Sequence, residues 1–117
     1  MLSFSGSLKV FVAVEPCDMR RSFNGLHDAV TTKLGEDPRS GSIFAFTNKR
    51  RTLLKILYWD GSGLWVLAKR LERGTFAWPK GTDIRDGKLR LTTTALAMLL
   101  DGIDMRHGCK RPWYELP

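Results

Sequence analysis

The sequence predicts an α+β fold: an antiparallel meander sheet of about five or six strands, one amphipathic helix packed on a face, and a second, shorter helix near the C-terminus at an edge or end. Three observations carry this. Residues 43–79, IFAFTNKRRTLLKILYWDGSGLWVLAKRLERGTFAWP, place apolar segments on both sides of NKRR and a third after Asp60-Gly61-Ser62-Gly63, the pattern of successive strands joined by tight turns. Met19, Phe23, Leu26, Val30 and Leu34 recur in steps of four, three, four and four, which gathers them into one helical stripe. Leu96, Leu99, Leu100 and Ile103 form a second such stripe just after a run of threonines.

In order, residues 9–14 (KVFVAV) read as a short strand that Glu15-Pro16 ends, because Pro cannot donate to a ladder and restrains its predecessor. A helix follows over 19–34, with Asp18 as N-cap and Gly35 just past its end. Arg20 and Arg21 then fall in the first turn, where the helix dipole disfavours cations; a phosphate or a facing carboxylate would account for them, as would a solvated face. Gly25 inside the helix costs about 1 kcal/mol relative to Ala, which suggests close packing against the sheet. Residues 36–41 are a loop by composition. Residues 88–91 (KLRL) read as a strand with Leu89 and Leu91 inward and Lys88 and Arg90 outward, and Thr92 or Thr93 caps the last helix, which ends near Gly102. His107, Cys109, Trp113 and Tyr114 lie in a variable tail over about 105–117 that docks by its aromatics or frays.

A chain of 117 residues suits one domain spanning 1–117, large enough to bury a core without staples. No apolar run reaches the length of a bilayer span, and the first residues lack the pattern of a secretory signal, so a cytoplasmic protein with no membrane partner is expected. Cys17 and Cys109 are far apart, with no CxxC, and read as free thiols. Oligomeric state is not legible. Net charge is +7, from 19 Lys and Arg against 12 Asp and Glu, and favours an anionic partner such as nucleic acid, although a merely soluble basic domain has the same balance.

Within the meander, period-two alternation puts Leu53, Lys55, Leu57 and Trp59 on one face of a strand and Thr52, Leu54, Ile56 and Tyr58 on the other. In the next strand Trp65, Leu67, Lys69, Leu71 and Arg73 lie opposite Leu64, Val66, Ala68 and Arg70. Neither face is purely polar, so the sheet is either covered on both sides or offers one face to a partner.

The stretches PCDMRRSFNGL (16–26), KILYWDGSGLWVLAKRLERGTFAWP (55–79) and LAMLLDGID (96–104) together resemble the TnpB family of accessory transposition proteins from insertion-sequence-66 type elements, the product of their second open reading frame. The family is distinct from the RNA-guided nucleases that share the name. Departures are small: Cys17 stands where an aliphatic or small residue is common, Ser22 where Gly is common, and the segment around Arg51 to Leu54 is shortened. The resemblance implies an accessory role in DNA recombination, beside a larger element-encoded transposase that carries the cutting chemistry and a second accessory protein.

The residues themselves argue against catalysis. A Mg²⁺-dependent nuclease needs converging carboxylates; of Asp60, Glu72, Asp83, Asp86 and Asp101, the turn aspartates are explained by backbone chemistry, and Glu72 between Arg70 and Arg73 fits a charge ladder. His27 and His107 sit near no nucleophile elbow, and His107-x-Cys109 with Cys17 lacks regular zinc spacing. No enzyme, metal or cofactor is therefore expected. The nucleic-acid expectation rests on Lys49, Arg50, Arg51, Lys55, Lys69, Arg70 and Arg73, with NKRR at a hairpin tip and Lys55 and Lys69 projecting from adjacent strands on a common face as a basic stripe. Arg20 and Arg21 are further candidate anion contacts. Trp59 or Trp65 would stack on unpaired bases or meet a partner where exposed, although tryptophans in a meander are commonly core. The alternative is a protein-interaction module bridging transposase and the other accessory protein without touching DNA, since Trp and Arg also suit such a surface.

Overall fold

The computed structural model describes residues 8–79 and 87–102. Its elements are β1 (Val10–Ala13), α1 (Phe23–Leu34), β2 (Ile43–Thr47), β3 (Leu53–Trp59), β4 (Leu64–Arg70), β5 (Lys88–Leu91) and α2 (Thr93–Leu100). The tail and its His107, Cys109, Trp113 and Tyr114, as well as Asp83, Asp86 and Ile103, lie outside the described residues.

The fold is α+β, but the sheet is mixed. Its order is β4-β3-β2-β1-β5; β1 and β2 run parallel, and every other pairing is antiparallel. Only β2, β3 and β4 form a meander. Parallel neighbours require a long crossover, and the amphipathic helix predicted between the first two strands supplies it. β5 closes the other side by pairing with β1. Burial explains why β1 and β2 tolerate this central place: IFAFT of β2 is buried at every position, as expected for a strand covered on both faces.

Two cores result. On one face Leu26, Ala29, Val30 and Leu34 of α1 pack on Phe44, Phe46 and Leu57, and Phe11 stacks on Phe44 with ring centroids 5.7 Å apart. On the other, Ala95, Leu96 and Leu99 of α2 meet Val10, Val12, Ile43, Ala45, Leu54 and Ile56, with Phe76 and Trp78. The second helix therefore covers a face, where an edge or end position was predicted. The physical reason is the pattern of the strands: alternate residues of β3 are apolar on both sides, so each face needs a cover.

Helix α1 begins later than predicted. Asp18 does not cap it; its carboxylate instead accepts from the Arg20 backbone N–H at 2.9 Å and from the Arg20 guanidinium, and Arg21 N donates to Asp18 O to close a separate turn. The first helical bond is Leu26 N to Ser22 O, at 2.8 Å. Phe23 is 48% exposed, so the buried stripe begins at Leu26, and Ala29 is buried with it beside Val30. Gly25 faces the Arg21 side chain, where a Cβ would come within 2.9 Å of Arg21 Cβ, and not the sheet. The C-terminal expectation holds, with Gly35 left-handed at φ 64.

Helix α2 is capped as predicted: Thr92 is extended and its side chain accepts from Ala95 N at 3.0 Å. Thr92→Ala is expected to cost about 1 kcal/mol, read as a lowered denaturant midpoint with an unchanged slope. Among the described residues no helix is long and apolar enough to cross a membrane.

Candidate nucleic-acid interface

The NKRR tip is held by its own asparagine. Asn48 Oδ1 accepts from Thr52 N (3.0 Å) and Leu53 N (3.3 Å), and its Nδ2 donates to Thr52 Oγ1 at 3.1 Å. Arg51 N donates to Asn48 O at 3.1 Å, leaving Lys49 and Arg50 exposed at the tip. Arg51 closes the turn at φ 57, a left-handed backbone that no other described non-glycine residue adopts. An L-residue with a side chain is disfavoured there by roughly 1–2 kcal/mol. Arg51→Gly is therefore expected to leave thermal stability unchanged or raise it by up to about 1 kcal/mol, the gain being offset by the freer unfolded chain; the same variant loses one cation of the tip.

Several other segments meet at this end of the sheet. Leu71 N donates to Thr52 O at 3.1 Å and Phe76 N to Arg51 O at 2.7 Å, which brings exposed Arg70 and Arg73 beside the tip. Cys17 N donates to Thr47 O at 2.8 Å, so the chain entering α1, with Arg20 and Arg21, arrives there too. Helix α1 has no side-chain cap on its N-terminus, which leaves the positive end of its dipole at the same place. Arg20 is paired with Asp18 at 2.8 Å, and hydrogen bonds from its side chain and backbone N–H hold the Asp18 carboxyl well below the usual range. No ion pair involves Lys49, Arg50, Arg51, Arg70 or Arg73 among the described residues.

The basic stripe across β3 and β4 is corrected. Lys55 stands opposite Ala68, and Lys69 opposite Leu54, so the two lysines lie on opposite faces of the sheet. Each reaches a backbone carbonyl: Lys55 Nζ donates to Arg21 O at 2.9 Å on the α1 side, and Lys69 Nζ to Leu100 O on the α2 side. Lys88, expected to face outward, likewise donates to Leu34 O and to the Glu36 carboxylate and lies over the Phe11 ring at 5.6 Å. Lys69 and Lys88 thus each satisfy an orphan carbonyl at a helix C-terminus, where a cation complements the dipole. Sequence reasoning missed this duty. The signal was the two-residue loop Gly61-Ser62, which makes the numbers of paired residues sum to a constant odd value and so puts odd positions of one strand beside even positions of the next.

Trp59 and Trp65 sit at the far end of the β3–β4 hairpin from the tip, and on opposite faces. Arg39 lies over the Trp59 ring at 5.1 Å. Trp65 is 45% exposed and its Nε1 donates to Asp60 Oδ2 at 2.8 Å. That bond, with those from Ser62 N–H, the Ser62 hydroxyl and Gly63 N–H, holds the Asp60 carboxyl well below its ordinary value. Asp60 is therefore occupied in organising its turn. Glu72 and Asp101 are exposed, Cys17 is buried, and among the described residues no three His, Cys, Asp or Glu side chains are grouped to hold a metal.

The family model described as IS66 Orf2 like protein matches residues 8–110. Two proteins of Sinorhizobium fredii (strain NBRC 101917 / NGR234), both carrying the name uncharacterized protein, are similar over nearly their whole lengths. One, y4jC, is 38% identical over 112 residues, covering 96% of this chain and 93% of its own. The other, y4hO, is 36% identical over 107 residues, covering 92% and 90%. No solved structure matches.

Proposed function

Because the chain belongs to the IS66 Orf2-like family of insertion-element proteins, we propose that it is a non-catalytic accessory factor of transposition that holds DNA by its phosphate backbone at the basic end of the sheet. What supports the reading is the convergence of Lys49, Arg50 and Arg51 of the tip with Arg70 and Arg73 of the neighbouring segment, none of them in an ion pair among the described residues. Such a cluster neutralises phosphates without reading bases, so it positions the protein on DNA and leaves sequence choice to its partners in the assembly, the element's transposase and second accessory protein. The exposed Trp65 and Phe23 favour a second reading, in which an apolar contact docks the chain on those proteins.

Salt separates the two. Binding to a labelled duplex, followed by anisotropy, is expected to weaken with a log–log slope of about −0.9 for every phosphate neutralised, hence roughly −4 to −5 for this cluster. Absence of binding at low salt, or affinity indifferent to salt, would leave only the protein-docking reading.

A further inference from the structure

The outer edge of β4 carries main-chain hydrogen-bonding groups that nothing described uses, and its register with β3 identifies them. Asp60 N donates to Gly63 O at one end of the hairpin and Leu71 N to Thr52 O at the other, both at 3.1 Å, with Leu67 opposite Ile56 midway. Bonded and non-bonded pairs alternate along an antiparallel ladder. Trp65, Leu67 and Lys69 therefore turn their N–H and C=O groups toward β3, while Leu64, Val66, Ala68 and Arg70 turn theirs away. β4 is terminal in the sheet, and among the described residues no backbone bond reaches that edge. The segment after β4 leaves it open, since Phe76 and Trp78 are buried in the core on the α2 side.

We propose that this edge pairs antiparallel with the same edge of a second copy of the chain, centred on Leu67, so that one sheet runs through both copies. The outward-facing residues are symmetric about Leu67: Leu64 meets Arg70, Val66 meets Ala68, and all of their N–H and C=O groups find partners. Charge selects the orientation. A parallel pairing through this edge must slip by one residue, because residues opposed in a parallel ladder face opposite ways, and it then sets Lys69 of one copy beside Arg70 of the other, which is unfavourable. The antiparallel one sets Lys69 beside the exposed Trp65 indole, a cation against an aromatic face, and Arg70 beside Leu64. Beyond the strand ends it brings the Asp60 turn of one copy toward the Arg73 turn of the other. The centre, Val66, Leu67 and Ala68, is apolar and the rim carries the charges, as in known interfaces. Natural proteins rarely leave a strand of this length as a bare edge. The pairing does not rest on the DNA reading, although Arg70 and Arg73 belong to the rim of both; where both hold, the basic ends lie at opposite ends of the pair and can take two DNA segments.

Sedimentation equilibrium of the full chain is expected to show a reversible monomer–dimer equilibrium. Leu67 meets its twin as a non-bonded pair, with Cα atoms roughly 4.5 Å apart, within disulfide range. In a Cys109→Ser background, Leu67→Cys is expected to cross-link to a covalent dimer under mild oxidation. Trp65→Cys and Lys69→Cys, each checked by circular dichroism for a native fold because Lys69 also holds the Leu100 carbonyl, are expected to form no covalent dimer alone and to cross-link when mixed. Ala68→Pro removes an outward donor, which an edge strand tolerates, and is expected to abolish the dimer with its circular dichroism unchanged; should it misfold, the cysteine series decides alone. A chain that sediments as a monomer up to near-millimolar concentration, one that pairs only with another protein, or a dimer in which Ala68→Cys cross-links as fast as Leu67→Cys would each overturn the proposal.

Discussion

Replacing Lys49, Arg50, Arg70 and Arg73 together by Ala is expected to lower affinity for duplex DNA by roughly three to four orders of magnitude at about 0.1 M salt, if each meets one phosphate, and to flatten the log–log salt slope by about 3.6. Counterion release gives each contact a factor of about ten to the power 0.9 at that concentration, and four contacts multiply. All four side chains are exposed and none makes a bond within the described residues, so the change in folding stability should stay within about 0.5 kcal/mol for each. Lys55 and Lys69 are left out because each holds a backbone carbonyl, and their loss would mix unfolding with lost affinity. Anisotropy and thermal melts on the same preparation provide the check. A quadruple variant that keeps its DNA affinity, or keeps the full salt slope, would remove the basic end from the account.

The choice of those four residues depends on something the sequence does not display directly. Alternation along each strand was legible: Leu54, Ile56 and Tyr58 do share a face, as do Trp65, Leu67 and Lys69. What alternation cannot say is which face of one strand continues which face of the next, so Lys55 and Lys69, expected on one surface, lie on two. Caps were legible where a side chain acts on its own helix, as with Thr92 and Gly35. They were not legible where a distant lysine does the capping: Lys69 and Leu100 are 31 residues apart, and Lys88 and Leu34 are 54 apart. The parallel pairing of β1 with β2 was hidden for the same reason, because strand order depends on contacts distant in sequence. The NKRR tip was legible because Asn48 builds it locally.

A consequence follows for a protein with this much positive charge. Part of its basic content is structural: Lys55, Lys69 and Lys88 tie the sheet to the ends of the two helices, and Arg39 covers Trp59. Net charge therefore overstates the cations available to a polyanion. Among the described residues, seven of the ten other cations, Arg20, Arg21, Lys49, Arg50, Arg51, Arg70 and Arg73, lie at the end where the tip, the segment after β4 and the start of α1 meet, so the field there is stronger than an even distribution of the same charge would give.

Trp78→Ala is expected to destabilise the fold by about 3–5 kcal/mol, the largest single-residue effect foreseen for this chain. The segment between β4 and β5 has no regular structure as far as residue 79, and what fixes it is side-chain anchorage. Trp78 is 4% exposed within the core on the α2 side, and its Nε1 donates to Ala13 O of β1 at 2.8 Å across 65 residues of sequence. Truncation removes the ring, leaves a cavity between the sheet and α2, and strands the Ala13 carbonyl. Trp78→Phe isolates the last of these: it keeps most of the apolar volume but not the donor, and a buried acceptor left without a partner costs about 1–3 kcal/mol. Against the 5–15 kcal/mol typical of a domain, the Ala variant should be largely unfolded at moderate denaturant, with the Phe variant between it and the parent. The same segment carries Phe76, whose N–H bonds the Arg51 carbonyl at the basic tip, so the Ala variant should also loosen DNA binding, whereas the Phe variant, still folded, should bind as the parent does. Urea titrations of all three, with anisotropy at a single low salt, test the chain of argument; a Trp78→Ala midpoint within about 0.5 kcal/mol of the parent would show that the segment is held by something other than this indole.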